Sequence, residues 1–161
     1  MTNVPGIVGA VIFGIGMSQV PTFTDEYMQR LGGTVDELRI ITEEFDRTAA
    51  SQNMTRNQAL MAYPDGFFLG IRVDELPDTF VRYEQLSEDF EVLANADTLK
   101  RFTSFLRMTD NRLVNATWNA HTLAVPTSTD GFVFALIGAM GGFFGITHIS
   151  GMISRRRKKA A

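Results

Sequence analysis

Hydrophobic and polar positions sort along this chain into three blocks instead of mixing throughout. Residues 4–20 carry no charged side chain, residues 21–130 carry every acid, and residues 131–153 are again uncharged. As helices the two uncharged blocks are about 25 and 34 Å long. A bilayer core is roughly 30 Å thick and takes about twenty apolar residues. The second block meets that length. The first needs tilt, local thinning, or help from Pro21, Thr22 and Phe23. It has neither the basic leader nor the small-residue cleavage site of a signal peptide, so an uncleaved span is expected in preference to a cleaved signal or a buried soluble helix.

Between these blocks the apolar residues recur at helical spacing. Val35, Leu38, Ile41, Phe45 and Ala49 form one stripe, and Leu76, Phe80, Tyr83, Leu86, Phe90 and Leu93 form another close to heptad spacing. Two capping boxes, Thr34-Val35-Asp36-Glu37 and Thr55-Arg56-Asn57-Gln58, predict helix starts. The first follows Gly32-Gly33, which predicts a break after a short helix beginning near Thr24. The second opens a short helix that stops before Pro64-Asp65-Gly66. Phe67-Phe68-Leu69-Gly70 reads as an apolar patch on or near a turn, followed by a longer helix from about Val73 to Asn95 with Pro77 in its first turn. Asp97 and Asp110 are expected to cap two further helices, one holding Leu99, Phe102, Phe105 and Leu106, the other Leu113, Val114 and Trp118. No alternating strand pattern exceeds four residues. The expected fold is an all-α membrane protein in which two transmembrane helices, 4–20 and 131–153, flank an extramembrane helical hairpin or small bundle over 21–130, with a basic tail at 154–161. Leu38, Phe45, Phe80, Tyr83 and Phe90 would form either one internal core or a coiled-coil contact between copies. A hairpin alone hides little surface, which favours a homo-oligomer.

Charge adds an orientation. The middle block holds eighteen acids and ten bases, a net of −8, while Arg155, Arg156, Arg157, Lys158 and Lys159 put +5 directly after the second span. Basic flanks stay in the cytoplasm, so both termini are expected there, with the middle block periplasmic in a bacterium. The same five bases would attract anionic lipid headgroups. Beside an apolar stretch they argue topology and against a nucleic-acid partner. Glu26–Arg30, Glu43–Arg47 and Asp78–Arg82 have the spacing of supporting helix pairs.

Ten of the fourteen glycines lie in the two apolar blocks, where helices associate by backbone approach over small residues. Gly6, Ala10 and Gly14 share one face; so do Gly138 with Gly142 and Gly141 with Gly145, beside Ala135 and Ala139. These are expected helix contact faces, within the chain or between chains.

Little reactive chemistry is legible. There is no cysteine and there are two histidines, which excludes thiolate metal sites and disulfides. His148 lies in the second span, where an ionisable residue is a candidate for function; packing or interfacial anchoring is the expected role, ahead of a ligand or proton role. His121 is expected in a solvated loop after Trp118. A di-iron bundle needs Glu-x-x-His, and the residues three before the histidines are Trp118 and Gly145. Glu43-Glu44 and Glu88-Asp89 read as solvated faces. No catalytic residue, cofactor or metal site is expected, and no enzyme.

Three stretches carry a resemblance: Tyr27-Met28-Gln29-Arg30-Leu31-Gly32-Gly33-Thr34-Val35-Asp36-Glu37-Leu38, then Arg82-Tyr83-Glu84-Gln85-Leu86, then Ala124-Val125-Pro126 followed by Gly131-Phe132-Val133-Phe134-Ala135. Over nearly its whole length the chain resembles a family of small proteobacterial inner-membrane proteins of unknown function. The resemblance implies two membrane-spanning ends and a bacterial origin, with no activity or site residues. The expected function is a non-enzymatic scaffold or accessory subunit of an inner-membrane complex, in contact with lipid, with copies of itself, or with a larger assembly. The alternative is a small channel or transporter component whose spans line a path near His148.

Overall fold

The computed structural model describes residues 3–96, 108, 110–123, 125 and 127–159, with side chains described as far as Met152. The expected Asp97 cap and the helix carrying Leu99, Phe102, Phe105 and Leu106 lie outside the described residues. What is described is mostly helical.

Helix α1 covers Val4–Ser18 and α2 covers Val20–Ser51. Only Gln19 separates them, with φ −80° and ψ −17°, and the Phe23 amide donates to the Gln19 carbonyl at 2.9 Å. The two therefore run on as one 48-residue rod, Val4–Ser51. Pro21 removes one helical donor, but it sits in the first turn of α2, where a missing N–H costs little. The uncharged part of the rod thus extends through residues 4–24, about 31 Å of helix, and is no longer short for a span.

The expected break at Gly32-Gly33 does not occur, and Thr34 is a mid-helix residue, not a cap. Phe23, Tyr27, Leu31, Leu38 and Phe45 form one buried face that passes straight through the glycines. Two interior glycines cost about 1 kcal/mol each, whereas burying one Leu contributes about 1.5–3 kcal/mol. Packing outweighs local propensity. Gly32 also has a use: a Cβ there would lie 3.1 Å from Phe90 Cε2. Helix α2 ends instead at a Schellman cap, with Asn53 at φ 57°, its amide donating to the Ala50 carbonyl and that of Met54 to Ala49.

Helix α3, Arg56–Ala62, starts at the second capping box: the Gln58 amide donates to Thr55 Oγ1 at 3.3 Å and the Thr55 amide to Gln58 Oε1 at 2.8 Å. Arg56 donates to both oxygens of Asp46, at 2.7 and 2.5 Å, and lies 4.5 Å from the centre of the Phe80 ring. The patch at Phe67 is a minimal antiparallel hairpin, β1 (Phe67–Phe68) against β2 (Ile71–Arg72), too short to leave an alternating pattern. Its two turn residues, Leu69 and Gly70, have φ of 49° and 80°, as a type I′ turn requires.

A 3₁₀ turn, Val73–Glu75, leads into α4, Leu76–Ala94, with Pro77 in the first turn. Helix α5, Asn111–Ala120, is capped by Asp110, which accepts from the amides of Arg112 and Leu113. Arg82 of α4 donates to Asp110 at 3.0 Å, not to Asp78. The other two expected pairs are displaced as well: Glu26 meets His121, and Glu43 meets Arg39 at 3.4 Å. For Arg82 and Glu26 a tertiary partner wins over the few tenths of a kcal/mol of a local pair, while Glu43 exchanges one local i,i+4 partner for another. Helix α6, Thr129–Lys159, opens at Ser128, whose hydroxyl accepts from the Gly131 amide.

Two apolar clusters join α2 to the later elements. Tyr27, Leu31 and Leu38 pack with Leu86, Leu93 and Leu113, with Tyr83 and Phe90 against them. Phe45 and Ala49 pack with Ala59, Val73, Leu76 and Phe80. The stripe residues Leu38, Phe45, Phe80, Tyr83 and Phe90 thus meet inside one chain.

Burial alone would raise the Asp110 carboxyl, but the Leu113 amide and the Arg82 guanidinium outweigh it and hold it below the usual range. The stability it contributes is therefore present above about pH 4 and lost as pH falls through its lower folded value. Asp110→Asn keeps a capping oxygen and removes the charge; it should cost about 1 kcal/mol at neutral pH and flatten the acid side of the stability profile, read by circular dichroism melts across that range. At the turn, Leu69→Asn relieves a left-handed backbone that costs a β-carbon residue about 1–2 kcal/mol, so its melting temperature should rise.

Candidate functional site

Two places in the fold bring sequence-selected residues together. The first is the seam where α1 lies along α6. A Cβ added to Gly142 would run into the Gly9 backbone, one on Gly138 into the Phe13 carbonyl, and one on Gly9 would come 2.6 Å from the Gly142 carbonyl. Gly6 fits against Thr147 and Phe143, and Gly14 against Ala135 and Ala139, with Ala10 partly buried beside them. At the far end Asn3 caps α1 and donates to Thr147 Oγ1 at 2.7 Å. Gly9 is the contact that the face Gly6-Ala10-Gly14 omitted; its three-residue spacing from Gly6 was the available signal. Gly141 and Gly145 do not join this seam. An added Cβ at either would meet no atom within 4 Å. His148 is exposed and takes no part in the contact. The basic residues Arg155, Arg156, Arg157, Lys158 and Lys159 continue the helix of α6 in backbone; their side chains lie outside the described part.

The second place is where the rod leaves its first apolar block. His121 was expected in solvent. Its side chain is instead only 8% exposed, because α5 packs on α2 and lays the ring against Glu26 and Phe23. Nδ1 lies 2.8 Å from Glu26 Oε2. The Phe23 ring stands edge-on to both His121, at 5.6 Å between centres, and Trp118, at 6.1 Å. Ninety-five residues separate Glu26 from His121, and no local pattern announces such a pair. Nε2 of the same ring is buried with no hydrogen-bond partner. A cavity of about 410 Å³ lies at this place, lined by Gly16, Gln19, Val20, Phe23, Val114 and Trp118, with His121 among the others. At its rim Trp118 is 70% exposed and Leu123 82% exposed.

Chemically, a carboxylate on one imidazole nitrogen leaves the other able to accept or donate one hydrogen bond. Among the described residues, no serine, threonine or second histidine hydrogen-bonds Nε2 to make a nucleophile–base pair. Among the described residues, no three His, Asp or Glu side chains gather closely enough to hold a metal ion.

These features define a helical protein in which two helices, the apolar first part of the rod and α6, are long and apolar enough to cross a membrane. The chain belongs to the family described as "Protein of unknown function (DUF2937)", whose model matches residues 2–159. No curated protein and no solved structure matches it.

The seam makes a discriminating prediction. Gly142→Leu inserts a side chain where backbone touches backbone and should destabilise the α1–α6 pair by about 1–3 kcal/mol or more. Gly141→Leu, one position away and facing open space, should melt like the parent chain. Thermal melts of both variants in mild detergent compare the two directly.

Proposed function

We propose that this protein is a non-enzymatic, membrane-anchored scaffold or accessory subunit of a bacterial inner-membrane assembly. Residues 4–24 and α6 cross the bilayer as a glycine-sealed pair, both termini are cytoplasmic, and the acidic helices from α2 to α5 stand in the periplasm. The observation that carries this reading is the contrast between the two faces of the seam. Its inner face is glycine packed on backbone, while its outer face is apolar and exposed, with Val8, Ile12, Ile15, Leu136, Met140 and Phe144 among the outward residues. Water would penalise such a girdle; hydrocarbon accepts it. A lipid-facing helix pair also gains from small residues what a soluble pair gains from leucines.

The acidic block extends the reading. Its core closes within one chain, so its outer surface, rich in Asp and Glu, is free for another protein. Gly141 and Gly145 leave a second small-residue face open on α6, suited to a neighbouring span of this chain or another. A conducting path near His148 has less support, since that side chain is exposed beside apolar neighbours and the α1–α6 seam is filled by backbone contact.

Carbonate washing of membranes should leave the intact chain in the pellet, and protease added to spheroplasts should remove the acidic block while sparing both helices. Release by carbonate, or protection of the block, would overturn the reading. Purification in mild detergent followed by mass spectrometry of co-migrating chains then separates an accessory subunit, found with unlike partners, from a self-assembling scaffold, found only with itself.

A further inference from the structure

The far end of the rod, where α2, α3 and the hairpin meet, exposes apolar side chains that its own core does not use. Phe67 is 72% exposed, Leu69 58% and Tyr63 53%. Unlike the girdle of α1 and α6, they belong to the polar block, where exposed apolar surface marks an interaction site. Leu69 is the sharpest anomaly. It holds the first turn position of the hairpin at φ 49°, a place that favours asparagine or glycine, and it gains no burial in return. A strained residue that the fold does not explain is a pointer to function.

A hole lies beside this knob. A cavity of about 190 Å³ opens between α2, α3 and the hairpin. Phe45, Ala49 and Val73 form its buried floor, and Thr48, Tyr63 and Phe67 its exposed rim. It is smaller than the roughly 300–1,000 Å³ of a small-molecule site and takes one large apolar side chain. Leu69 of the same chain is not part of its wall. Knob, floor and rim all fall within residues 3–96. Leu93 and Met108, on either side of the segment outside the described residues, pack at the other cluster, around Leu31.

A knob and a hole on one surface complement a second copy of that surface. Related by a two-fold axis, each copy can offer its Leu69 to the cavity of the other. With Thr48 and Gln52 included, side chains of this size and exposure cover roughly 1,000 Å² between two copies, the lower bound for a specific interface. On the membrane reading, on which this step rests, all copies stand on the same side of one bilayer, and that confinement raises their effective concentration. An anionic lipid surface fits less well. Arg56 and Arg72, the bases of residues 52–75, are already paired with Asp46 and Asp74.

We propose that the tip of the rod is a self-association surface, in which Leu69 of one copy enters the cavity between α2, α3 and the hairpin of a second copy, and the second copy returns the contact.

The chain has no cysteine, so Asn57→Cys on the exposed side of α3 gives one labelling site near the tip. Full-length chains carrying donor or acceptor dye are mixed in phosphatidylcholine vesicles, and energy transfer is followed against the protein-to-lipid ratio. The parent should show saturable transfer that unlabelled chain reverses. Leu69→Asn removes the knob, and Thr48→Phe fills the hole from an exposed position. Each alone should need about tenfold more protein for the same transfer, the least that losing a buried leucine contact implies. Leu69→Asn also relieves the turn, so its loss of pairing does not come from a damaged fold. Mixed together, the two variants retain one knob and one hole, and should pair better than either does alone. Transfer in the parent no greater than random encounter assigns the patch to an unlike chain and overturns the proposal. So does pairing that both variants keep, or a mixture no better than its components. If carbonate washing releases the chain, the membrane reading fails separately. The same comparison of parent, variants and mixture in mild detergent then decides the tip contact alone, by the same outcomes.

Discussion

Everything in this fold depends on how closely α1 and α6 approach. Where Gly9 meets Gly142 and Gly138 meets the Phe13 carbonyl, the helices touch through backbone, and no side chain larger than hydrogen fits. That contact fixes the register of the two apolar helices, because sliding one past the other would replace glycine by a branched residue at each site. It also decides which faces turn outward. Residues such as Ile12 and Leu136 are exposed because the glycines took the inside. In water this would be a poor exchange, since glycine costs helix stability and the exposed leucines and isoleucines gain nothing. In hydrocarbon the same arrangement is favourable, because backbone packing is what remains when apolar burial has no driving force.

The rod converts that local contact into a global one. Because Gln19 and Pro21 do not stop the helix, the orientation set at the Gly9 contact is carried without a hinge into Tyr27, Leu31, Leu38 and Phe45. The later elements are then assembled on this continuous helix: α4 over Gly32, α3 through the Arg56–Asp46 pair, and α5 through the Glu26–His121 contact, with Asp110 tying α5 to α4. A break at Gly32-Gly33 would have uncoupled the acidic block from the apolar base. Its absence leaves the block joined to the base by unbroken helix.

What the sequence disclosed follows the range of each interaction. The two apolar helices, the Thr55 box, the Asp110 cap and the long helix after Val73 are written in residues a few positions apart, and all could be read. The small-residue faces were visible as spacing, but spacing alone cannot separate Gly138-Gly142, which meets α1, from Gly141-Gly145, which meets nothing, since both repeat at four. The Thr34 box misled because it is a local signal of about 1 kcal/mol set against a buried face that spans the glycines on both sides. Arg82 reaching Asp110 and Glu26 reaching His121 were illegible for the opposite reason: the partners are close only once α2, α4 and α5 have packed. The candidate site is built from such long-range meetings, which is why His121 read as a solvated loop residue.

Two of the three buried side-chain polar atoms without partners among the described residues, the third being Ser87 Oγ, show how the same defect can mean different things. The Tyr27 hydroxyl lies in the core among Leu31, Leu86 and Leu93, and burial, with Asp89 and Asp110 nearby, pushes it up to about 12. Held neutral, it is a tolerable loss: the ring supplies packing and the hydroxyl forfeits one hydrogen bond. His121 is different in kind. Its ring is oriented by Glu26 at one nitrogen while the other is buried without a partner, and orientation of a side chain by a second residue has a structural cost that packing alone would not require. An apolar residue of the same shape would seal the foot of α5 against Phe23 without burying either polar group. The Glu26–His121 contact therefore ties the foot of α5 to the rod through a specific polar pair, where apolar packing against Phe23 alone would also close the joint.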